Sequence, residues 1–242
     1  MPIPQPSNPA PPAGRQPLLK TLRSWIVSFA MAFAILAPLR SAIADWNDVP
    51  TGSMEPTILI GDRIFVNKLA YGLRVPFTHS WIAQWSDPRP GDIVVLNSPQ
   101  GGTRLVKRLI AGPGDTIALH RNILSINGQD QPYTAVPDST LADIPPEVRQ
   151  GRRFANEHLR GHAHLVAAIP SIAAARRDFG PITLPPGRYF VMGDNRDNSA
   201  DSRYFGFVDR SLIVGRSSAV AISVDPKNYY LPRLSRWFSG LK

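Results

Sequence analysis

Hydrophobic and polar positions divide the chain into a polar start, one continuous apolar run, and a long remainder of short apolar bursts between turns. Residues 1–17 are rich in Pro, Ser, Asn and Gln, and the expectation is a disordered tail. From Trp25 to Leu39 the chain is predominantly apolar. That run spans only about 22 Å as a helix, short of a hydrocarbon core of roughly 30 Å. Extending it to Ala44 closes the gap, with Arg40 reaching back to the interface. Lys20 and Arg23 on the N-terminal flank put that end in the cytoplasm. The expected layout is a disordered cytoplasmic tail over 1–23, a transmembrane anchor over 24–44 and an extracytoplasmic domain over 45–242. The same residues also fit a cleavable signal peptide, with Ala42-Ile43-Ala44 as its cleavage site. On both readings residues 46–242 lie across the membrane.

In the remainder, residues 63–66 and 92–96 are short β-rich runs with Gly-Asp at or just before their starts. Residues 103–110 predict a strand ended by Gly112-Pro113-Gly114-Asp115. Residues 116–119 and 123–126 predict a hairpin around His120-Arg121-Asn122, closed by Asn127-Gly128. Residues 130–186 have a weaker β signal and are rich in Pro, Ala and Arg. They read as an irregular insertion with a helix near 145–158. Residues 188–192 return to strand, and 212–224 supply one or two more. The end of the chain, from Tyr229, is compatible with lying on the membrane or on the domain. The predicted fold is mainly β: an antiparallel domain with an irregular insertion, preceded by one N-terminal transmembrane helix.

Composition narrows this picture. The 25 prolines and 18 glycines of the 242 residues favour short strands and many turns. With no cysteine there is no disulfide framework, thiolate nucleophile or cysteine zinc site. The net charge of +9 is scattered along the chain rather than gathered into runs, so nucleic acid is not an expected partner.

Three stretches carry candidate chemistry. In Pro50-Thr51-Gly52-Ser53-Met54-Glu55-Pro56-Thr57, Ser53 lies on a turn beside the apolar segment, with Gly52 expected to supply a tight or left-handed backbone. As a base for Ser53, Lys107 shares its strand face with Leu105 and Leu109, and an apolar face lowers a lysine pKa. Arg108 has equally apolar neighbours in Val106 and Ile110, so alternation does not choose between the two. His158, His162 and His164 are spaced so that a metal is conceivable; a surface cluster of histidines is the preferred reading. The third stretch, Gly193-Asp194-Asn195-Arg196-Asp197-Asn198-Ser199-Ala200-Asp201-Ser202-Arg203, suits a hydrogen-bonded support loop. There Ser199 is expected to orient the lysine amine, and Asp201 to pair with Arg203.

In this order, with Gly61-Asp62 and Arg104-Leu105-Val106-Lys107-Arg108 between, these stretches resemble bacterial type I signal peptidase. The resemblance covers the anchor and most of 46–242. It implies a mostly antiparallel β domain at the outer face of the bacterial inner membrane. It further implies a serine endopeptidase that removes signal peptides from exported preproteins after small residues, by an acyl-enzyme route without metal or cofactor. Carried over by position, Ser53 is the nucleophile, Lys107 the general base, and Ser199 the residue that bonds the lysine. Thr51 stands where the family often has serine and assists the oxyanion; Gly193, Asp201 and Arg203 are supports. Val49, Pro50, Met54 and Val106 line the small-residue pocket. Glu55 stands where an uncharged residue is common, and is expected to alter contact with substrate or lipid. The implied partners are preproteins and membrane lipid, with the enzyme acting as a monomer. The alternatives are a specialised peptidase of the same fold with few substrates, a self-cleaving repressor, and a non-enzymatic extracytoplasmic β module.

Overall fold

In the computed structural model, residues 18–78 and 80–241 are described; the expected tail over 1–17 and His79 lie outside them. Helix α1 (Leu18–Ala42) contains the apolar run, and residues 18–23, expected in the tail, form its first turns. Its stretch Lys20–Ala37 is long and apolar enough to cross a membrane, and none of it is buried against the rest of the chain. Trp25, Phe29, Phe33 and Leu36 are all exposed, as on a helix whose apolar circumference meets lipid rather than protein. The chain then enters strand β1 (Ala44–Asp48), with Ala44 paired to Asn67, so the Ala42-Ile43-Ala44 tripeptide is built into the fold. Lys68 Nζ donates to the Ser41 carbonyl at 3.0 Å, placing a cation at the negative end of the helix dipole.

The main sheet is antiparallel. β1 pairs with β2 (Asp62–Asn67), where Ile64 and Val66 point inward and Phe65 outward. A two-stranded ribbon, β3 (Gly72–Arg74) with β4 (Trp81–Gln84), follows. Then β5 (Ile93–Asn97) pairs along its whole length with β6 (Arg104–Ala111). The predicted hairpin is β7 (Thr116–His120) and β8 (Ile123–Ile126). Its loop residues Arg121 and Asn122 have φ of 50° and 67°, the left-handed conformation that a two-residue primed turn requires.

Residues 130–186 are more regular than their sequence suggests. After β9 (Gln129–Asp130), strands β10 (Tyr133–Thr134), β11 (Arg153–Leu159) and β12 (His162–Ala168) form a separate three-stranded antiparallel sheet. A short helix, α2 (Asp138–Ala142), lies upstream of the helix expected near 145–158, and of that helix only one short piece forms, α3 (Pro146–Arg149). Gly151, at φ 71°, stops α3, and residues 153–159 run extended. The alternation of β11 and β12 is disguised because Glu157 and His164 occupy inward positions. β13 (Phe179–Thr183) returns to pair with β7.

β14 (Arg188–Met192) joins the main sheet beside β6, and α4 (Ser202–Phe205) and β15 (Val208–Asp209) follow. β16 (Ile213–Asp225) crosses between β2 and β5, giving the order β1-β2-β16-β5-β6-β14-β15. The end of the chain lies on the domain: β17 (Leu231–Pro232) pairs with β16, and Trp237 Nε1 donates to the Ser223 carbonyl. Val49, Met54, Ile58, Ile64, Val66, Ile93 and Val95 pack as one apolar cluster beneath the Ser53 turn.

Candidate active site

Ser53 sits in a single 3-10 turn, Gly52–Met54, whose Met54 side chain is buried in that cluster. The turn is fastened upstream, where Val49 N–H donates to the Asp62 carbonyl at 2.9 Å, and downstream, where Ile58 N–H donates to the Met54 carbonyl at 2.9 Å. Gly52 is not left-handed here. Its small size matters instead, because a Cβ would lie 2.6 Å from the Glu55 carboxylate.

β6 delivers the amine. Lys107 pairs in register with Val94, and its Nζ lies 2.5 Å from Ser53 Oγ. The side chain is 2% exposed. Burial lowers its pKa from 10.5 to about 8; the Asp201 and Asp194 carboxylates oppose that shift, and the Arg203 guanidinium adds to it. Arg108 is equally buried, but its guanidinium forks onto Asp194 at 2.8 and 2.7 Å. No carboxylate among the described residues lies within ion-pair distance of Lys107. This partnering separates two residues that alternation left equivalent.

The loop after β14 clamps the turn. Asn195 N–H donates to the Ser53 carbonyl at 3.1 Å and its Nδ2 to the Gly52 carbonyl at 2.9 Å. A Cβ on Gly193 would sit 2.3 Å from the Ser53 carbonyl oxygen, so only glycine allows this approach. Asp201 accepts from Gly193 N–H at 3.1 Å and pairs with Arg203 at 2.9 and 2.8 Å, the pairing expected from sequence. Ser199 departs from expectation. Its Oγ is buried beside Gly193 with no hydrogen-bond partner among the described residues, and the bond to Lys107 is not made.

A groove of about 500 Å³ opens over Ser53, with residues 46–51, 53 and 54 on one wall and 103–107 on the other. The four predicted pocket residues, Val49, Pro50, Met54 and Val106, all line it, as does Thr51. β14 reaches β6 only from Arg108 onward, so on the side away from β5 the Arg104-to-Lys107 edge of β6 faces the groove with no neighbouring strand among the described residues.

Residues 22–222 match the family described as signal peptidase, peptidase S26. The chain is 35% identical over 222 residues to signal peptidase I of Pseudomonas aeruginosa, covering 86% of this chain and 76% of that one. The chain belongs to this family. It is 34% identical over 202 residues to signal peptidase I P of Bacillus subtilis subsp. natto, covering 83% and 89% respectively.

Within this S26 peptidase several groups have no sequence-derived role. Asp194 is fully buried between Arg108 and Thr57, whose hydroxyl donates to it at 2.6 Å. It and Asn195 lie inside the 193–203 loop, whose place the sequence shows but whose contacts it does not. Glu157 pairs with Arg196 at 2.6 Å, both almost fully buried, and ties the three-stranded sheet to that loop. Burial opposes ionisation of Glu157, but Arg196 and His164 hold its carboxyl well below the usual range. His164 is therefore not part of a surface cluster: it is 5% exposed against Glu157, while His158 turns to Thr134. Glu55 is not among the residues lining the groove over Ser53; its carboxylate is buried 2.7 Å from Arg152 Nη1.

Proposed function

We propose that Ser53 and Lys107 are the nucleophile and general base with which this membrane-anchored serine endopeptidase removes signal peptides from exported preproteins. The 2.5 Å approach of Nζ to Oγ, with no carboxylate among the described residues within ion-pair distance of the amine, carries the assignment. With the amine neutral, the Ser53 hydroxyl donates to its lone pair and attacks the scissile carbonyl as Nζ takes the proton. The resulting ammonium returns that proton to the leaving amine. A second proton transfer to Lys107 activates the water that releases the acyl-enzyme. The Ser53 N–H and the Thr51 hydroxyl are the proposed oxyanion donors, each worth about 3–4 kcal/mol in enzymes of this chemistry.

The signal peptide's cleavage region adds as an extended strand to the open edge of β6. Val49, Pro50, Met54 and Val106, which line the groove, are the proposed pocket for small side chains, where larger ones would be excluded by clash. Gly193, Asp201 and Arg203 act as supports for the turn. In the orientation proposed, residues 1–23 face the cytoplasm and 45–242 the outer side of the bacterial inner membrane, as Lys20 and Arg23 favour. The enzyme is proposed to act as a monomer. Cleavage of a model preprotein by the full chain in detergent tests the assignment. Ser53→Ala and Lys107→Ala should each abolish turnover, and normal turnover in either variant contradicts it.

A further inference from the structure

Residues 138–152 lie in the part of the chain to which the family resemblance assigns no role, yet they pack against the nucleophile turn. Ile144 and Val148 are buried with Leu59, two residues beyond Thr57. Beyond Gly151 the chain brings Arg152 Nη1 to 2.7 Å from Glu55 Oε2, with side-chain exposures of 14% and 7%. The Glu55 carboxylate in turn occupies the space over Gly52, 2.6 Å from where a Cβ would stand. Gly52 immediately precedes Ser53, so an unbroken series of contacts runs from Arg152 through Glu55 and Gly52 to the nucleophile.

We propose that the Glu55–Arg152 ion pair is a positioning device for Ser53, by which the 138–152 segment sets the nucleophile turn; the proposal rests on Ser53 being the nucleophile. A carboxylate this buried needs a counter-charge. Without Arg152, the Glu55 carboxylate loses its counter-charge and swings toward water, which loosens the packing over Gly52. Asn195 still holds the Gly52 and Ser53 carbonyls, so the turn persists but is less sharply fixed. The pair lies outside the walls of the substrate groove, so the loss falls on the chemical step rather than on binding.

The test compares Arg152→Ala, Arg152→Lys, Glu55→Gln and the double variant Glu55→Gln/Arg152→Ala in preprotein cleavage and in amide hydrogen exchange. Arg152→Ala should lower kcat by about ten- to a hundredfold, the scale of a small misplacement of a reacting group, with KM within about twofold. Arg152→Lys should restore most of kcat, and the double variant should be no worse than the worse single one. The pH at which activity rises should not move, because that belongs to Lys107. Exchange in a peptide covering 51–58 should quicken by about tenfold in Arg152→Ala, while one covering 93–97 is unchanged. Unchanged kcat with unchanged exchange overturns the proposal. So does a loss that follows the unfolded fraction and is not rescued by lysine. If Ser53→Ala stays active, the nucleophile assignment fails on its own, and exchange over 51–58 still decides whether the pair fixes the turn.

Discussion

Replacing Lys107 with methionine removes the amine while keeping an unbranched side chain in a site that is 2% exposed. Folding lowers the lysine pKa from 10.5 to about 8, which corresponds to about 3 kcal/mol of penalty on the charged form. Below pH 8 both folded and unfolded lysine are protonated, and the folded state bears that whole penalty. Between pH 8 and 10.5 the unfolded chain binds the extra proton, so this group makes stability rise with pH. Above 10.5 the amine is neutral in both states and the penalty is gone. Methionine bears none of it at any pH, but forfeits the hydrogen bond to Ser53, worth about 1 kcal/mol. Lys107→Met should therefore be inactive yet about 2 kcal/mol more stable than wild type at pH 7, and about 1 kcal/mol less stable at pH 11. Denaturant unfolding of the full chain in detergent, followed by tryptophan fluorescence at several pH values, reads the difference as a shift in midpoint at constant slope. A variant less stable than wild type at pH 7, or a gap that does not change sign with pH, would refute the reasoning.

Gly193→Ala should lower kcat/KM by about a hundredfold or more, because the new methyl must push the Ser53 carbonyl from 2.3 Å; kinetics alongside midpoints check it. Thr51→Val should lower kcat by about a hundred- to a thousandfold while Thr51→Ser keeps most of it, as expected of an oxyanion donor. Equal activity in both Thr51 variants would remove that hydroxyl from the mechanism. Glu157→Gln should destabilise by roughly 3–5 kcal/mol, since it leaves Arg196 buried without its counter-charge. The folded-state pKa of Glu157 lies below its ordinary value of 4.5, so its stabilisation is present above that pH and is lost as pH falls below it. Acid unfolding of wild type and variant should then converge.

The sequence made legible those features that local rules govern. The strands over 116–119, 123–126 and 188–192 stand in the structure nearly as alternation and turn residues predict, because each is bounded by glycine, proline or asparagine. β11 and β12 were hidden because period-2 reasoning assumes that inward positions are apolar, whereas Glu157 and His164 are inward and neutralised by contacts made across the fold. Lys107 and Arg108 could not be told apart for the same reason: what separates them is Asp194, 86 residues further on. The contacts of Gly193 and Asn195 with the Ser53 turn, and of Arg152 with Glu55, join segments distant in the chain, so no local pattern announces them.

The central claim is that a buried, neutral lysine takes the proton from Ser53. The pH dependence of kcat/KM for preprotein cleavage by the full chain, from pH 5 to 10, measures this directly. Activity should rise through a single ionisation near pH 8, set by Lys107, and should be lost throughout in Lys107→Arg, whose guanidinium does not give up its proton. A rise centred near pH 6.5, the ordinary histidine range, or normal turnover in Lys107→Arg, would contradict the account and move the base elsewhere.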